Sequence, residues 1–181
     1  MEDDKEKILF TIGHSTREIA EFLQMLKNFK IKCLVDVRRF PSSRKFPVYN
    51  QDSLQQTLLD HGVEYIHLEA LGGRRAAKKD SPNSAWKHPS FRGYADYMET
   101  PEFCTAVKEL EKIALEKTTA IMCSEAVFWR CHRSMISDFL KSEGFKVFHI
   151  MSLTKLTEHP YTAPAHIQDG HLTYRQKSAE D

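Results

Sequence analysis

At 181 residues the chain fits one domain of ordinary size with a sizeable core and does not require a second. Lys and Arg number 26 against 25 Asp and Glu, a formal net charge of +1, so bulk charge argues neither for nor against nucleic acid and local clusters must carry that question. The four cysteines, Cys33, Cys104, Cys123 and Cys131, lack the spacing of a zinc ribbon or secreted disulfide framework. With no signal-peptide core and no long apolar run, they read as a reduced, cytoplasmic, non-membrane protein.

In chain order, 7–13 reads as a first strand, and Ser15 with Glu18 has capping-box spacing before a helix carrying Phe22, Met25, Leu26 and Phe29. Residues 31–38 are apolar enough for a strand buried on both faces. A proline-rich polar loop follows to Tyr49. A helix carrying Leu54, Leu58 and Leu59 stops at Gly62, and 63–68 form a third strand that leaves through Gly72 and Gly73. From there to about Pro89 the chain is irregular, a length at which loops tend to be functional or disordered. Helical spacing resumes at Phe91, Tyr94 and Met98, and Thr100-Pro101 caps the next helix. The central strand is 118–122; after the helix that ends near Gly144, 146–150 form a fifth strand and 171–174 a weak one. Strands alternating with helices predict a single α/β domain over 1–181, Rossmann-like and three-layered. Its mostly parallel sheet has about five strands with helices on both faces, and the ends at 1–6 and about 176–181 are expected to be disordered.

On this reading His14 and Ser15, Asp36 and Arg38, Gly72 to Arg74, and Cys123 to Glu125 leave the carboxyl ends of strands, the rim where open α/β sheets bind ligands. His14 is a candidate base or electrostatic partner, or only a turn residue. Asp36 and Arg38 share one side of a strand, either as a structural ion pair or as an activating carboxylate beside an anion-binding arginine. Glu125 directly follows a strand end, where partial desolvation tunes a carboxylate for acid or base work; a helix cap is the plainer reading. Cys123 invites comparison with the thiolate-arginine loop of phosphatases and rhodaneses. The interval to Arg130 is one residue too long, however, and Val127, Phe128 and Trp129 stand where that loop has glycines, so an inert buried thiol is the alternative. Cys123, Cys131, His132 and His14 carry zinc-ligand chemistry, yet adjacent Cys131 and His132 would leave a helix about 100° apart, and no metal or other cofactor is expected.

Basic residues, among them Arg38, Arg44, Arg74, Lys78 and Arg92, concentrate in the rim loops beside Phe40, Phe46, Tyr49, Trp86 and Phe91. Cations neutralise phosphates while aromatic faces stack on bases, so nucleic acid or nucleotide is the expected partner. Ser15, Ser43, Arg44, Tyr49, Arg74, Trp86, Cys131, His132 and Arg133 are the candidate substrate contacts. The expected activity is hydrolysis or group transfer on a phosphate-bearing substrate, damaged-base removal from DNA being one form. Asp36 or Glu125 would orient water or a nucleophile, with His14 and Cys123 as further catalytic candidates. Alternatives are a non-catalytic nucleic-acid or nucleotide module, and a thiol or zinc enzyme centred on Cys123 and Cys131.

Several motifs carry a family resemblance: Thr11-Ile12-Gly13-His14-Ser15, Asp36-Val37-Arg38 with Pro41 and Ser43-Arg44, Leu71-Gly72-Gly73-Arg74, Tyr94-Ala95-Asp96-Tyr97-Met98, and Met122-Cys123-Ser124-Glu125 with Cys131-His132-Arg133. Together they resemble the family called domain of unknown function 488, from about Ile8 to Tyr174. The resemblance implies an α/β fold and a role for the matching positions; it supplies no settled chemistry.

Overall fold

The computed structural model describes residues 6–177. Apart from 6, 176 and 177, the stretches expected to be disordered lie outside the described residues. Strands β1 (Ile8–Gly13), β2 (Cys33–Asp36), β3 (Glu64–His67), β4 (Thr119–Cys123) and β5 (Lys146–Ile150) form a parallel sheet in the order β3-β2-β4-β1-β5. An antiparallel strand absent from the sequence reading, β6 (Leu156–Glu158), covers the β5 edge. The weak strand near the carboxyl end is β8 (His171–Thr173), paired with β7 (His166–Gln168) through Asp169 and Gly170, both at positive φ. That Asp-Gly pair is a hairpin signal in the sequence itself.

Helices α1 (Ile19–Asn28) and α2 (Gln51–Asp60) cover one sheet face, and α3 (Pro89–Met98), α4 (Pro101–Glu116) and α5 (Arg133–Ser142) the other. Each buries a stripe at helical spacing: Phe22, Met25 and Leu26 in α1; Phe103, Ala106, Val107 and Leu110 in α4. The strands between alternate, so Ala120 and Met122 of β4 meet α1 and α2 while Ile121 and Cys123 meet the other layer. Thr100 caps α4, its hydroxyl accepting from the Phe103 amide at 3.4 Å with Pro101 in the first turn. The capping box expected of Ser15 and Glu18 does not form. The chain instead extends the sheet, the His14 and Ser15 amides donating to the Cys123 and Ser124 carbonyls, and α1 starts only at Ile19 with no side-chain cap.

β1 feeds α1 on one face and β4 feeds α5 on the other, so the two adjacent strands diverge at their carboxyl ends and open a crevice there. Gly13 closes its floor: a Cβ at that position would overlap the Glu125 carbonyl passing above it. Gly13→Ala is therefore expected to lose on the order of 1–3 kcal/mol in chemical denaturation. An unchanged midpoint would mean that the 124–126 segment yields freely.

Candidate functional site: a paired-thiol cleft

The crevice is a cleft of about 930 Å³ whose lining includes His14, Arg38, Cys123, Cys131 and His132. Its sides carry Arg39, Arg74 and Arg130 with Phe40, Phe46, Phe91 and Trp129, against Glu125 as the lining carboxylate. The walls therefore present positive charge and ring faces. Phe40 and Trp129 are exposed at 59% and 55%, large apolar surface held open at the mouth.

At the floor, Cys123 ends β4 and Cys131 directly precedes the first turn of α5, with their Sγ atoms 2.6 Å apart. The Arg133 guanidinium reaches back beneath them, donating from Nε to Cys123 Sγ at 3.0 Å, while the Arg133 amide faces Cys131 Sγ at 3.4 Å. His132 Nε2 lies 3.0 Å from the Val37 carbonyl, which only accepts, so Nε2 carries the proton and bare Nδ1 faces Cys131 Sγ at 3.5 Å. A thiol, an imidazole lone pair and a carbonyl that fixes the imidazole tautomer are thus in line, an arrangement that thiol nucleophiles can use. Gly73 lets the ring in: a Cβ there would stand 3.0 Å from His132 Nδ1.

The surroundings divide the two thiols. Burial pushes Cys131 up, but the hydrogen bond from Cys123, the Arg133 charge and the Arg133 amide outweigh it and bring the thiol down to about 7. Burial and the partner sulfur hold Cys123 well above the ordinary thiol range. Burial, with the Glu64 charge, pushes Cys33 up to about 11, the pattern of an inert core thiol. Burial lowers His132, favouring the neutral ring.

Asp36 is not in the cleft lining. It is fully buried and receives Arg38 Nε at 2.9 Å, Arg38 Nη2 at 2.7 Å, the Arg38 amide at 3.0 Å and the Tyr65 hydroxyl at 2.7 Å. Its lone pairs are occupied, so it anchors Arg38. Arg38 keeps Nη1 toward His14 Nε2 at 3.4 Å. His14 Nδ1 is bonded to the Ser15 carbonyl at 2.9 Å and the ring stacks on Tyr49 at 4.2 Å. Burial, aided by Arg38 and Arg133, holds it down to about 4, too low for a base of useful strength at neutral pH.

Glu125 is exposed at the rim, contrary to the desolvation expected of it, and caps no helix; its carbonyl accepts from Arg133 Nη2 at 2.7 Å. Ser15, Ser43 and Arg74 line the cleft, whereas Arg44 is exposed outside the lining. Tyr49 is buried, donating to the Arg17 carbonyl at 2.8 Å, and Trp86 packs on Phe91 and Tyr174. Neither reaches the cleft, because each fills a gap beneath its own loop. Arg133 also lies beneath the floor. Among the described residues no group of three or more His, Cys, Asp or Glu side chains is arranged to hold a metal ion.

A network that sequence reasoning missed adjoins this floor. Arg133 Nη1 donates to Thr11 Oγ1 at 3.0 Å, Thr11 Oγ1 lies 2.6 Å from His149 Nδ1, His149 Nε2 lies 2.9 Å from His159 Nδ1, and His159 Nε2 lies 2.9 Å from Asp138 Oδ1. Asp138 also holds the Tyr174 hydroxyl and the amide and hydroxyl of Thr162. Isolated polar residues within apolar strands and helices gave no pattern that would have linked them.

Fold and site together define an open α/β protein with a basic, aromatic cleft over two thiols at its topological switch point. The family described as domain of unknown function DUF488 matches residues 18–140, and the chain belongs to that family. His14 and Ser15 lie outside the matched span. No curated protein and no solved structure matches the chain. No helix among the described residues is long and apolar enough to cross a membrane.

Proposed function

We propose that the cleft is the active site of an enzyme that uses Cys131 as nucleophile on a phosphate-bearing, ring-containing substrate: a nucleotide or a strand of nucleic acid. The observation that carries this reading is the floor itself, where Cys131 meets the His132 lone pair, the Arg133 amide and a second thiol beneath the arginine-lined mouth. The Cys131 thiolate adds to an electrophilic centre, and the proton taken up by His132 passes to the departing group. Water then attacks the covalent intermediate, His132 receiving its proton as the bond to sulfur breaks and the Cys131 thiolate is released. Arg74, Arg39 and Arg130 hold anionic oxygens, and Phe40 and Trp129 receive the ring. Hydrolysis or group transfer, the expectation from sequence, is retained; Asp36, tied to Arg38, and Glu125, standing in water, no longer orient water or a nucleophile, and Cys131, read from sequence as a substrate contact, takes the catalytic place given there to Cys123.

The test measures iodoacetamide modification between pH 5 and 9, with and without mononucleotides and short single- or double-stranded oligonucleotides, intact and carrying damaged bases. An inflection near pH 7 that vanishes in Cys131→Ser is expected. So are protection by a bound nucleotide or strand that fades with salt, and an approximately tenfold loss of that protection in Arg74→Ala. No inflection would remove the thiol nucleophile, and no binding to any nucleotide or strand would remove the substrate class.

A further inference from the structure

From the same reactive Cys131 we infer that Cys123 is its resolving partner, and that the pair reduces a hydroperoxide by closing to a readily reversible disulfide. The two side chains divide the labour. Cys131 opens to the cleft and is flanked by the start of α5 and by His132, the surroundings of an attacking thiol. Cys123, also in the lining, lies 2.6 Å from it, and Arg133 Nε reaches Cys123 at 3.0 Å. The intervening 124–130 segment contains only a short turn at Phe128–Arg130 between β4 and α5. Both sulfurs are therefore held in contact by firm elements, and no second site has to swing in to resolve an oxidised Cys131.

The chemistry balances. The Cys131 thiolate attacks the terminal oxygen of ROOH; the S–O bond forms, the O–O bond breaks, and RO⁻ leaves to take a proton as ROH. The Cys123 sulfur then attacks the Cys131 sulfenic acid; the S–S bond forms, the S–O bond breaks, and hydroxide leaves with the Cys123 proton as water. Two thiols lose two electrons, and the hydroperoxide becomes an alcohol and water.

Arg133 sets the direction in which this bond is poised. Arg133 is 1% exposed, and among the described residues no carboxylate forms a salt bridge with it; its guanidinium contacts are Cys123, the Thr11 hydroxyl and the Glu125 carbonyl. In the reduced pair the nearest negative charge is the Cys131 thiolate, one sulfur beyond the Cys123 that the guanidinium touches. Closing the disulfide removes that charge and leaves a buried cation without its partner, which is costly. The reduced form is thereby favoured, as in strongly oxidising dithiol pairs, and the disulfide is one that small thiols reopen.

One equivalent of hydrogen peroxide added to the reduced chain, followed by peptide mass analysis without reductant, tests this. The expected product joins the peptides holding Cys123 and Cys131 with loss of two hydrogens, and a stoichiometric dithiol reverses it. Cys123→Ser is expected to accumulate a dimedone-trappable sulfenic acid at Cys131 that the native chain does not. Arg133→Met, where it folds, is expected to make the disulfide at least tenfold harder to reduce. A persistent dimedone adduct in the native chain, or cross-linking of separate chains through Cys104 in place of the internal bond, would overturn the inference. Iodoacetamide reactivity of Cys131 is read separately, so a failure of resolution is distinguishable from a failure of the nucleophile.

Discussion

Asp36→Asn is expected to destabilise the fold by about 3–5 kcal/mol, the usual consequence of removing one partner of a buried ion pair. Asp36 is fully buried and Arg38 is 8% exposed, so water does little to replace the lost carboxylate. The substitution also sets an amide nitrogen against donors. Four N–H or O–H groups from Arg38 and Tyr65 converge on the carboxylate oxygens, and an asparagine amide accepts through only one of its two terminal atoms. Tyr65→Phe, which deletes a single charge-assisted hydrogen bond, is the internal standard at about 1.5–3 kcal/mol. Denaturant midpoints for the two variants at neutral pH check the order. Equal losses would mean that the released Arg38 turns into the cleft and recovers its hydration there, and would weaken its assignment as a residue fixed from below.

The second large effect is acid destabilisation well above the usual carboxylate range. Burial holds His14 down to about 4; burial together with His159 and Arg133 holds His149 down to about 2. Both rings are neutral in the native state at pH 6, whereas in the unfolded chain they bind protons below about 6.5. The unfolded state thus binds more protons, and stability contributed by the two rings is fully present above pH 6.5 and lost as pH falls. Each ring contributes about 1.4 kcal/mol per pH unit, so together they remove roughly 3 kcal/mol per unit down to about pH 4, where His14 itself begins to titrate. Against the ordinary total of about 5–15 kcal/mol this brings unfolding near pH 4 to 5. Denaturant midpoints at pH 7, 6 and 5 that do not move would show these rings charging inside the fold.

The five parallel strands and the helices on both faces were legible, though β6 and β7 were not, because hydrophobic period and length distinguish a buried strand such as 119–123 from an amphipathic helix such as α4. The convergence of four loop segments followed from topology, since parallel strands deliver all their carboxyl ends to one edge. What each residue does there was not legible. Whether Asp36 faces a ligand or Arg38 depends on Tyr65, a residue from the neighbouring strand, and whether Glu125 is desolvated depends on the path of a loop that has no periodicity. The contact between Cys123 and Cys131 is the plainest case. Seven residues separate them, a spacing that matches no motif, and their meeting is a property of how α5 turns back beneath β4. The thiol pair, the oriented His132 and the long relay to Asp138 are all tertiary in origin.

The position of β4 bears on how the molecule comes into being. β1 and β2 do not pair with each other; each pairs with β4, which the chain supplies only after α3 and α4. During synthesis β1 therefore waits without a strand partner and the β2–β3 pair keeps an open inner edge until β4 emerges, with β5 following only after it. Loop-closure entropy over so long a separation precedes the reward of pairing, which makes for slow, all-or-none assembly and exposes edges that invite association with other chains in the interval. Because β4 also ends in Cys123, the two thiols meet only once β4 lies between β1 and β2, and their contact is a chemical report that the two sides of the sheet have joined.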